Sequence, residues 1–198
     1  DNHFADFFGP IHPVPVVVII SFAGGGCLFL MHKRGVVKIL NTSLPRNRII
    51  AAAAGASIFS LPVILADLLL RFPEDINIAL PGALLFYPAI GFIAETVFHL
   101  LPLTIIILIT DLSGKKGSNN QIPIPAIATA VAAEPLFQLF FSGDIFAPTS
   151  VFTFFHVLLI SGFQIRLLKK YDYLTMFWFR IVYYFLWHIL WGTLRLKM

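Results

Sequence analysis

The sequence predicts an all-α protein, a polytopic transmembrane helix bundle of about six spans. Of its 198 residues, 58% are hydrophobic and only 12% are charged, and the mean hydropathy is +0.86. Soluble domains carry about 25% charged residues, so this composition excludes a disordered chain, a nucleic-acid-binding module and an ordinary cytosolic enzyme. Six apolar stretches are each long enough to cross a hydrocarbon core of about 30 Å as a helix. We therefore expect an integral, multi-pass membrane protein.

The six predicted spans follow one another closely and leave no room for a separate soluble domain. The third span is longer than a bilayer requires and contains Pro81, Pro88 and Pro102, so it should tilt or kink. A phenylalanine-rich segment precedes the first span and is expected to lie at the membrane interface. The interfacial segment is predicted at 1–13 and the transmembrane domain at 14–198, with a core that carries motifs at about 80–194. The six predicted spans are 14–31, 49–70, 80–110, 123–141, 150–168 and 173–194.

Basic residues mark one side of the predicted bundle. The loop between the first two spans has five of them, the next loop on that side has Lys115 and Lys116, and the last has three more. The loops on the opposite side are mainly acidic, with Glu74, Asp75 and Asp144. Because cytoplasmic loops are enriched in Lys and Arg, we predict that the N-terminus lies outside. Two basic residues near the C-terminus oppose this orientation.

Five titratable side chains lie deep within the predicted spans, where a charged group is costly. Three lie six or seven residues from the outer ends of their spans, which places them roughly 10 Å below one surface. The other two are one turn apart on the third span and share a face. Each alone is explained by a hydrogen bond to a neighbouring helix, but the set predicts a shared functional site. The five are Glu134, His156 and His188 at the common depth, and Glu95 and His99 on the third span.

Two other charged residues within the spans have simpler explanations. Asp67 lies near the end of the second span, one turn before Arg71, and we expect the two to form a helical salt bridge at the interface. Arg180 lies inside the sixth span and is expected to extend its charged end toward the cytoplasm. Neither side chain is needed for the predicted site.

Three short motifs occur in order on the last three predicted spans. Residues 133–139 are Ala-Glu-Pro-Leu-Phe-Gln-Leu, residues 152–156 are Phe-Thr-Phe-Phe-His, and His188 lies six residues before the end of the last span. In order and spacing they resemble the motifs Glu-Glu-x-x-x-Arg, Phe-x-x-x-His and His-x-x-x-Asn of the CPBP family. These are intramembrane glutamate proteases that include the CAAX prenyl proteases. The resemblance covers roughly residues 123–194.

The resemblance implies hydrolysis of a peptide bond inside the bilayer by a water that Glu and His activate. By position, Glu134 corresponds to the second glutamate of the first motif, His156 to the water-binding histidine and His188 to an oxyanion donor. Three motif residues are replaced, which means that either Glu95 supplies the missing carboxylate or hydrolysis has been lost. The replacements are Ala133 for the first glutamate, Gln138 for the arginine and Gly192 for the asparagine.

The same five residues permit two other functions. Glu95 and His99 have the i, i+4 spacing of a chelating pair, and Glu134, His156 and His188 complete a candidate site for zinc or a similar divalent metal. The protease hypothesis requires no cofactor. In a third alternative, the chain is a non-catalytic scaffold or partner subunit. The predicted partners are accordingly the lipid bilayer with a peptide or prenylated-peptide substrate, or a membrane partner protein, and no nucleic acid.

Overall fold

The computed structural model describes residues 13–43, 45–73, 77–112 and 121–197. Within these ranges every regular element is helical, so the all-α prediction is confirmed. The predicted interfacial segment lies outside the described residues, except for Pro13, and so do Glu74, Asp75, Lys115 and Lys116. Six helices are described: α1 (Pro13–Lys33), α2 (Pro45–Leu70), α3 (Ala83–Leu112), α4 (Ile124–Phe140), α5 (Pro148–Lys170) and α6, which joins Tyr173–Tyr184, Phe185–Trp191 and Gly192–Arg195.

Four of these helices, α1, α2, α3 and α5, are long and apolar enough to cross a membrane. Helix α4 is also apolar but has only 17 residues. Large apolar side chains point outward from the bundle, as they do in proteins surrounded by lipid. The most exposed of them include Phe22, Leu69, Leu85, Leu112 and Phe146. The chain is therefore a helical membrane protein, while the crossing by α4 and α6 and the external N-terminus stay predictions.

Helices α3 and α6 each contain a π-helical segment, Glu95–Leu100 and Phe185–Trp191. Because π turns bond residue i to i+5, they rotate the following side chains relative to an α-helix, and they are frequent at functional sites. In α3 the segment ends just before Pro102, which has no N–H to donate to the carbonyl of Phe98. The irregularity predicted for the third span thus takes the form of a widened turn.

The helices pack in two main pairs, α4 along α5 and α2 along α6, while α3 contacts α4 and α6 and supports α1 on its outer side. Side chains from α3, α5 and α6 meet in the centre of the bundle. Phe179 and Met176 of α6 are fully buried there, together with Leu100 and Leu103 of α3 and Leu168 of α5. This centre holds the polar residues described below in a water-poor environment.

Gly55 of α2 permits a close approach of α5. A Cβ atom at this position would overlap Cε1 of Phe163 and lie 2.7 Å from its Cζ. We expect Gly55→Ala to lower the free energy of unfolding by about 1–3 kcal/mol, because the core must shift to admit the methyl group. Gly26→Ala is the matched control, since no atom lies within 4 Å of its Cβ position. Equal unfolding temperatures for the two variants in detergent would contradict this packing.

Asp172 ties the loop between α1 and α2 to the start of α6. It caps α6 by accepting hydrogen bonds from Thr175 N at 2.6 Å and Thr175 Oγ1 at 2.7 Å. It also accepts hydrogen bonds from Asn41 N at 2.9 Å and from the guanidinium of Arg48 at 2.7 Å. Burial disfavours the charge, but these hydrogen bonds outweigh it and lower the pKa of Asp172. These contacts of Asp172 place two of the three basic loops at the same end of the bundle.

Asp67 does not pair with Arg71 as predicted. Arg71 adopts a left-handed backbone conformation, with φ of 54°, which ends α2 and turns the chain away from it. Asp67 instead accepts hydrogen bonds from Trp191 Nε1 at 2.8 Å and Phe72 N at 3.0 Å, and Nε of Arg195 lies 3.1 Å away. One of the two basic residues that opposed the predicted orientation is therefore neutralised by an acidic partner at the same end of the bundle.

Candidate functional site

The polar centre of the bundle is organised around Arg180 of α6, which is only 3% exposed. Its Nε donates to Oε1 of Glu95 at 2.5 Å. Its two terminal nitrogens donate to the two carboxylate oxygens of Glu134 at 2.8 and 2.6 Å, the bidentate geometry in which arginine binds carboxylates most strongly. The prediction that Arg180 extends toward the cytoplasm is therefore wrong. Two buried carboxylates from α3 and α4 compensate its charge inside the bundle.

Two further side chains complete the hydrogen bonding of this arginine. Gln164 of α5 accepts from Arg180 at 3.0 Å and donates to Glu95, and the hydroxyl of Tyr184 accepts from Arg180 at 3.0 Å. On the far side of Glu95, Nδ1 of His99 lies 3.0 Å from its second carboxylate oxygen. The network joins four helices. Because Glu95, His99 and Gln164 are completely buried, its charged groups are compensated by one another and not by solvent.

A cavity of about 590 Å³ lies beside the network, among α2, α3, α4, α5 and α6. Glu134 and Arg180 form part of its wall, so the network borders the cavity directly. Most of the remaining wall is aromatic or aliphatic, including Phe72 and Trp187, and such walls are typical of ligand-binding pockets. The other polar side chains that line the cavity are Gln138, His156 and His188, with the hydroxyl-bearing Thr153, Tyr87, Tyr183 and Tyr184.

The two cavity histidines are held by aromatic neighbours. Nε2 of His156 lies 3.1 Å from the hydroxyl of Tyr183, and its ring stacks on Phe152 with centroids 5.2 Å apart. The His188 ring stacks on Tyr87 at 4.4 Å. Neither histidine is hydrogen-bonded to Glu134 among the described contacts. Both imidazoles thus line the cavity and are oriented by aromatic packing, together with the Tyr183 hydroxyl in the case of His156.

The five residues predicted to form one site fall into two connected groups. Glu134, His156 and His188 line the cavity, whereas Glu95, bound to Arg180, and His99, bound to Glu95, are not part of the wall. Glu134 belongs to both groups, since it faces the cavity and binds the arginine. The position of Glu95 does not support the expectation that it supplies the missing carboxylate to a reacting water.

The metal alternative requires these carboxylates and histidines to converge on one point. Among the described residues, no three His, Cys, Asp or Glu side chains come together so that they could hold a metal ion. The physical reason is Arg180, whose guanidinium occupies the place between Glu95 and Glu134 that a metal cation would need. The five side chains predicted to hold a metal therefore do not converge on one ion-binding site among the described residues.

Sequence reasoning missed Arg180, Gln164 and Tyr183 as members of the site. Their spacing contains a signal, because Gln164 lies eight residues after His156 on α5 and Arg180 lies eight residues before His188 on α6. Such pairs share a helix face. An ionisable residue inside a membrane span is also by default a candidate for function. Snorkelling gave a simpler explanation for Arg180, and the partners on α3 and α4 could not be assigned from spacing alone.

Gln138 contacts the glutamate of its own helix. Its Nε2 lies 3.5 Å from Oε1 of Glu134, the same oxygen that accepts a hydrogen bond from the guanidinium of Arg180.

Comparisons of the chain with protein-family models, with curated proteins and with solved structures gave no match.

Proposed function

We propose that the protein is an intramembrane protease of the CPBP type, which hydrolyses a peptide bond in the cavity. The observation that carries the proposal is that Glu134, His156 and His188 line one cavity. These are the three titratable residues that match positions of the family motifs. The volume of about 590 Å³ falls in the range of small-molecule sites, and the apolar wall suits a substrate segment that comes from the membrane.

His156 is the residue that we assign as the general base. In the proposed reaction a water adds to the carbonyl carbon and gives its proton to the imidazole, while an electron pair moves to the carbonyl oxygen. Collapse of this intermediate breaks the C–N bond, and the leaving amine takes the proton back from His156. A positioned base of this kind typically accelerates the reaction by about 10²–10⁴-fold.

Glu134 and His188 support this chemistry by charge and hydrogen bonding. The carboxylate of Glu134, fixed by Arg180 and approached by Gln138, provides a negative charge in the cavity wall. This charge favours the positive imidazolium that forms on His156 during the reaction. His188 donates to the carbonyl oxygen as it becomes negative. Glu95 is assigned a positioning role, because it binds the Nε of Arg180 and does not line the cavity.

One observation favours a second candidate function, a non-catalytic membrane scaffold or partner subunit. Both oxygens of Glu134 are bound by Arg180, and His156 and His188 have aromatic partners rather than the carboxylate. A buried ion pair of this kind can serve to fix one arrangement of the helices. Under this hypothesis the cavity residues could be replaced without loss of an activity.

Cleavage by the purified protein in liposomes tests the proposal. The substrate is a mixture of single-span peptides, and mass spectrometry identifies the products. We expect cleavage by the wild type and at least about a 100-fold slower reaction with His156→Phe, which keeps the ring but removes the base. His32→Phe is the control, because His32 lies at the end of α1 and contacts the carbonyl of Val37. No product from the wild type, or equal rates for the wild type and His156→Phe, would favour the scaffold.

A further inference from the structure

We infer that Asn77, together with His188, forms a binding site for a peptide amide at one end of the cavity. Asn77 lies in the connection between α2 and α3 and matches none of the three motifs. The identity of the bound group as a substrate peptide bond rests on the proposed function. The site itself rests on the packing of Asn77 against α6 and on its unpaired polar atoms.

Gly192 of α6 provides the space for the Asn77 side chain. A Cβ atom at residue 192 would lie 2.7 Å from Oδ1, 3.0 Å from Cγ and 3.4 Å from Cβ of Asn77. The carboxamide of Asn77 therefore occupies the volume that a side chain at residue 192 would fill. Gly192 is buried and follows His188 by four residues, so the two positions lie on nearly the same face of α6. An amide from another segment thus stands one turn along the helix from the histidine.

Tyr87 fixes this segment against His188. Its hydroxyl accepts a hydrogen bond from the backbone N–H of Ile78 at 3.0 Å, and its ring stacks on the imidazole of His188 with an interplanar angle of 14°. The residue next to Asn77 is thereby held by the same tyrosine that orients the histidine. Ile78, Tyr87 and His188 all line the cavity. Asn77 precedes Ile78 in the chain and packs on Gly192, so its buried carboxamide lies next to the residues of the cavity wall.

The polar atoms at this position have no partners among the described residues. Asn77 is 8% exposed, and neither its Nδ2 nor its Oδ1 forms a hydrogen bond. The buried Nδ1 of His188 is also without a partner. Unpaired buried amides destabilise a protein, and an apolar side chain of similar shape would avoid that effect. Retaining such a group beside a cavity indicates a ligand that satisfies it.

The chemistry of a carboxamide selects the class of ligand. Nδ2 donates hydrogen bonds and Oδ1 accepts them, so a carboxamide pairs best with a group that has a donor and an acceptor side by side. A peptide bond has this arrangement, a C=O beside an N–H. In the proposed reaction the same Nδ2–H, with His188, would stabilise the carbonyl oxygen when water adds to the carbon and the negative charge develops. Asn77 is therefore assigned as a substrate-binding residue.

Asn77→Leu tests the assignment, because leucine has a similar shape and no polar atoms. We expect kcat/KM for peptide cleavage to fall by about 10²–10³-fold without a decrease in the unfolding temperature, since no hydrogen bond is lost. Asn47→Leu, on the exposed side of α2, should keep the wild-type rate. In the double variant Asn77→Ala/Gly192→Asn, the carboxamide is carried by residue 192 and no longer by residue 77. This variant should regain part of the activity. Wild-type cleavage by Asn77→Leu would overturn the inference.

A binding measurement separates this inference from the proposed function. Unfolding temperatures are recorded in lipid nanodiscs with decanamide and with decane, two probes that differ in the carboxamide group. Decanamide should stabilise the wild type more than decane does, and Asn77→Leu should abolish the difference. This result without any cleavage would leave the binding site and reject the protease. Equal stabilisation of the wild type and Asn77→Leu by decanamide would overturn the site, whether or not peptides are cleaved.

Discussion

Replacing Arg180 with methionine should lower the free energy of unfolding by about 3–5 kcal/mol, enough to prevent folding of many domains. The substitution leaves the carboxylates of Glu95 and Glu134 buried without the guanidinium that binds both. It also removes the hydrogen bonds that the guanidinium of Arg180 donates to Gln164 and Tyr184. Thermal unfolding in lipid nanodiscs, followed by helical circular dichroism, measures the effect.

Two variants make this result specific. Arg166→Met removes an exposed arginine from α5 and should leave the unfolding temperature close to that of the wild type. Adding Glu95→Gln and Glu134→Gln to Arg180→Met removes the unpaired charges, and most of the lost stability should return because a neutral core no longer needs a counterion. If Arg180→Met unfolds at the same temperature as Arg166→Met, the network does not hold the helices together.

The second large effect is expected on activity and distinguishes the two buried glutamates. Under the proposed mechanism Glu134→Gln should reduce kcat/KM by at least about 100-fold, since it removes the negative charge that favours protonation of His156 in the transition state. Glu95→Gln should lower the unfolding temperature and reduce the cleavage rate less than Glu134→Gln does, because Glu95 binds Arg180 but does not line the cavity. Peptide cleavage in liposomes and thermal unfolding are measured on the same preparations.

The comparison is informative because the two substitutions are chemically identical. Both replace a carboxylate that binds Arg180 by an amide of the same shape. A larger loss of activity with Glu95→Gln than with Glu134→Gln would reverse the assignment and return Glu95 to the role of the catalytic carboxylate. Equal losses would mean that both act only through the position of Arg180.

The helices and the polar residues at their centre follow from the sequence, because both depend on local patterns. Apolar stretches of about 20 residues predict spans, and the scarcity of charge makes Glu134 or His156 conspicuous within them. Their partners depend on how the helices are rotated against one another. Nothing in the spacing within α6 tells that Arg180 meets Glu95 of α3 and Glu134 of α4, and the π-helical segment Glu95–Leu100 alters the rotation further.

The contacts made by loops are the least predictable part of the site. Asn77 lies outside any helical periodicity, and its place beside Gly192 depends on the path of the chain between α2 and α3. Asp67 illustrates the same limit, since Arg71 one turn away was the obvious partner. The left-handed backbone at Arg71 ends the helix, and the arginine that pairs with Asp67 is Arg195, more than a hundred residues later in the chain.

The origin of the oxygen in a newly formed carboxyl group tests the central claim most directly. The wild-type protein in liposomes is incubated with single-span peptides in water enriched in ¹⁸O, and the products are identified by mass spectrometry. Hydrolysis in the cavity predicts cleaved peptides whose new C-terminus contains one ¹⁸O, and no such product with His156→Phe. Intact peptides after incubation with the folded wild type, or labelled products at the same rate from His156→Phe, would contradict a hydrolytic site built on these residues.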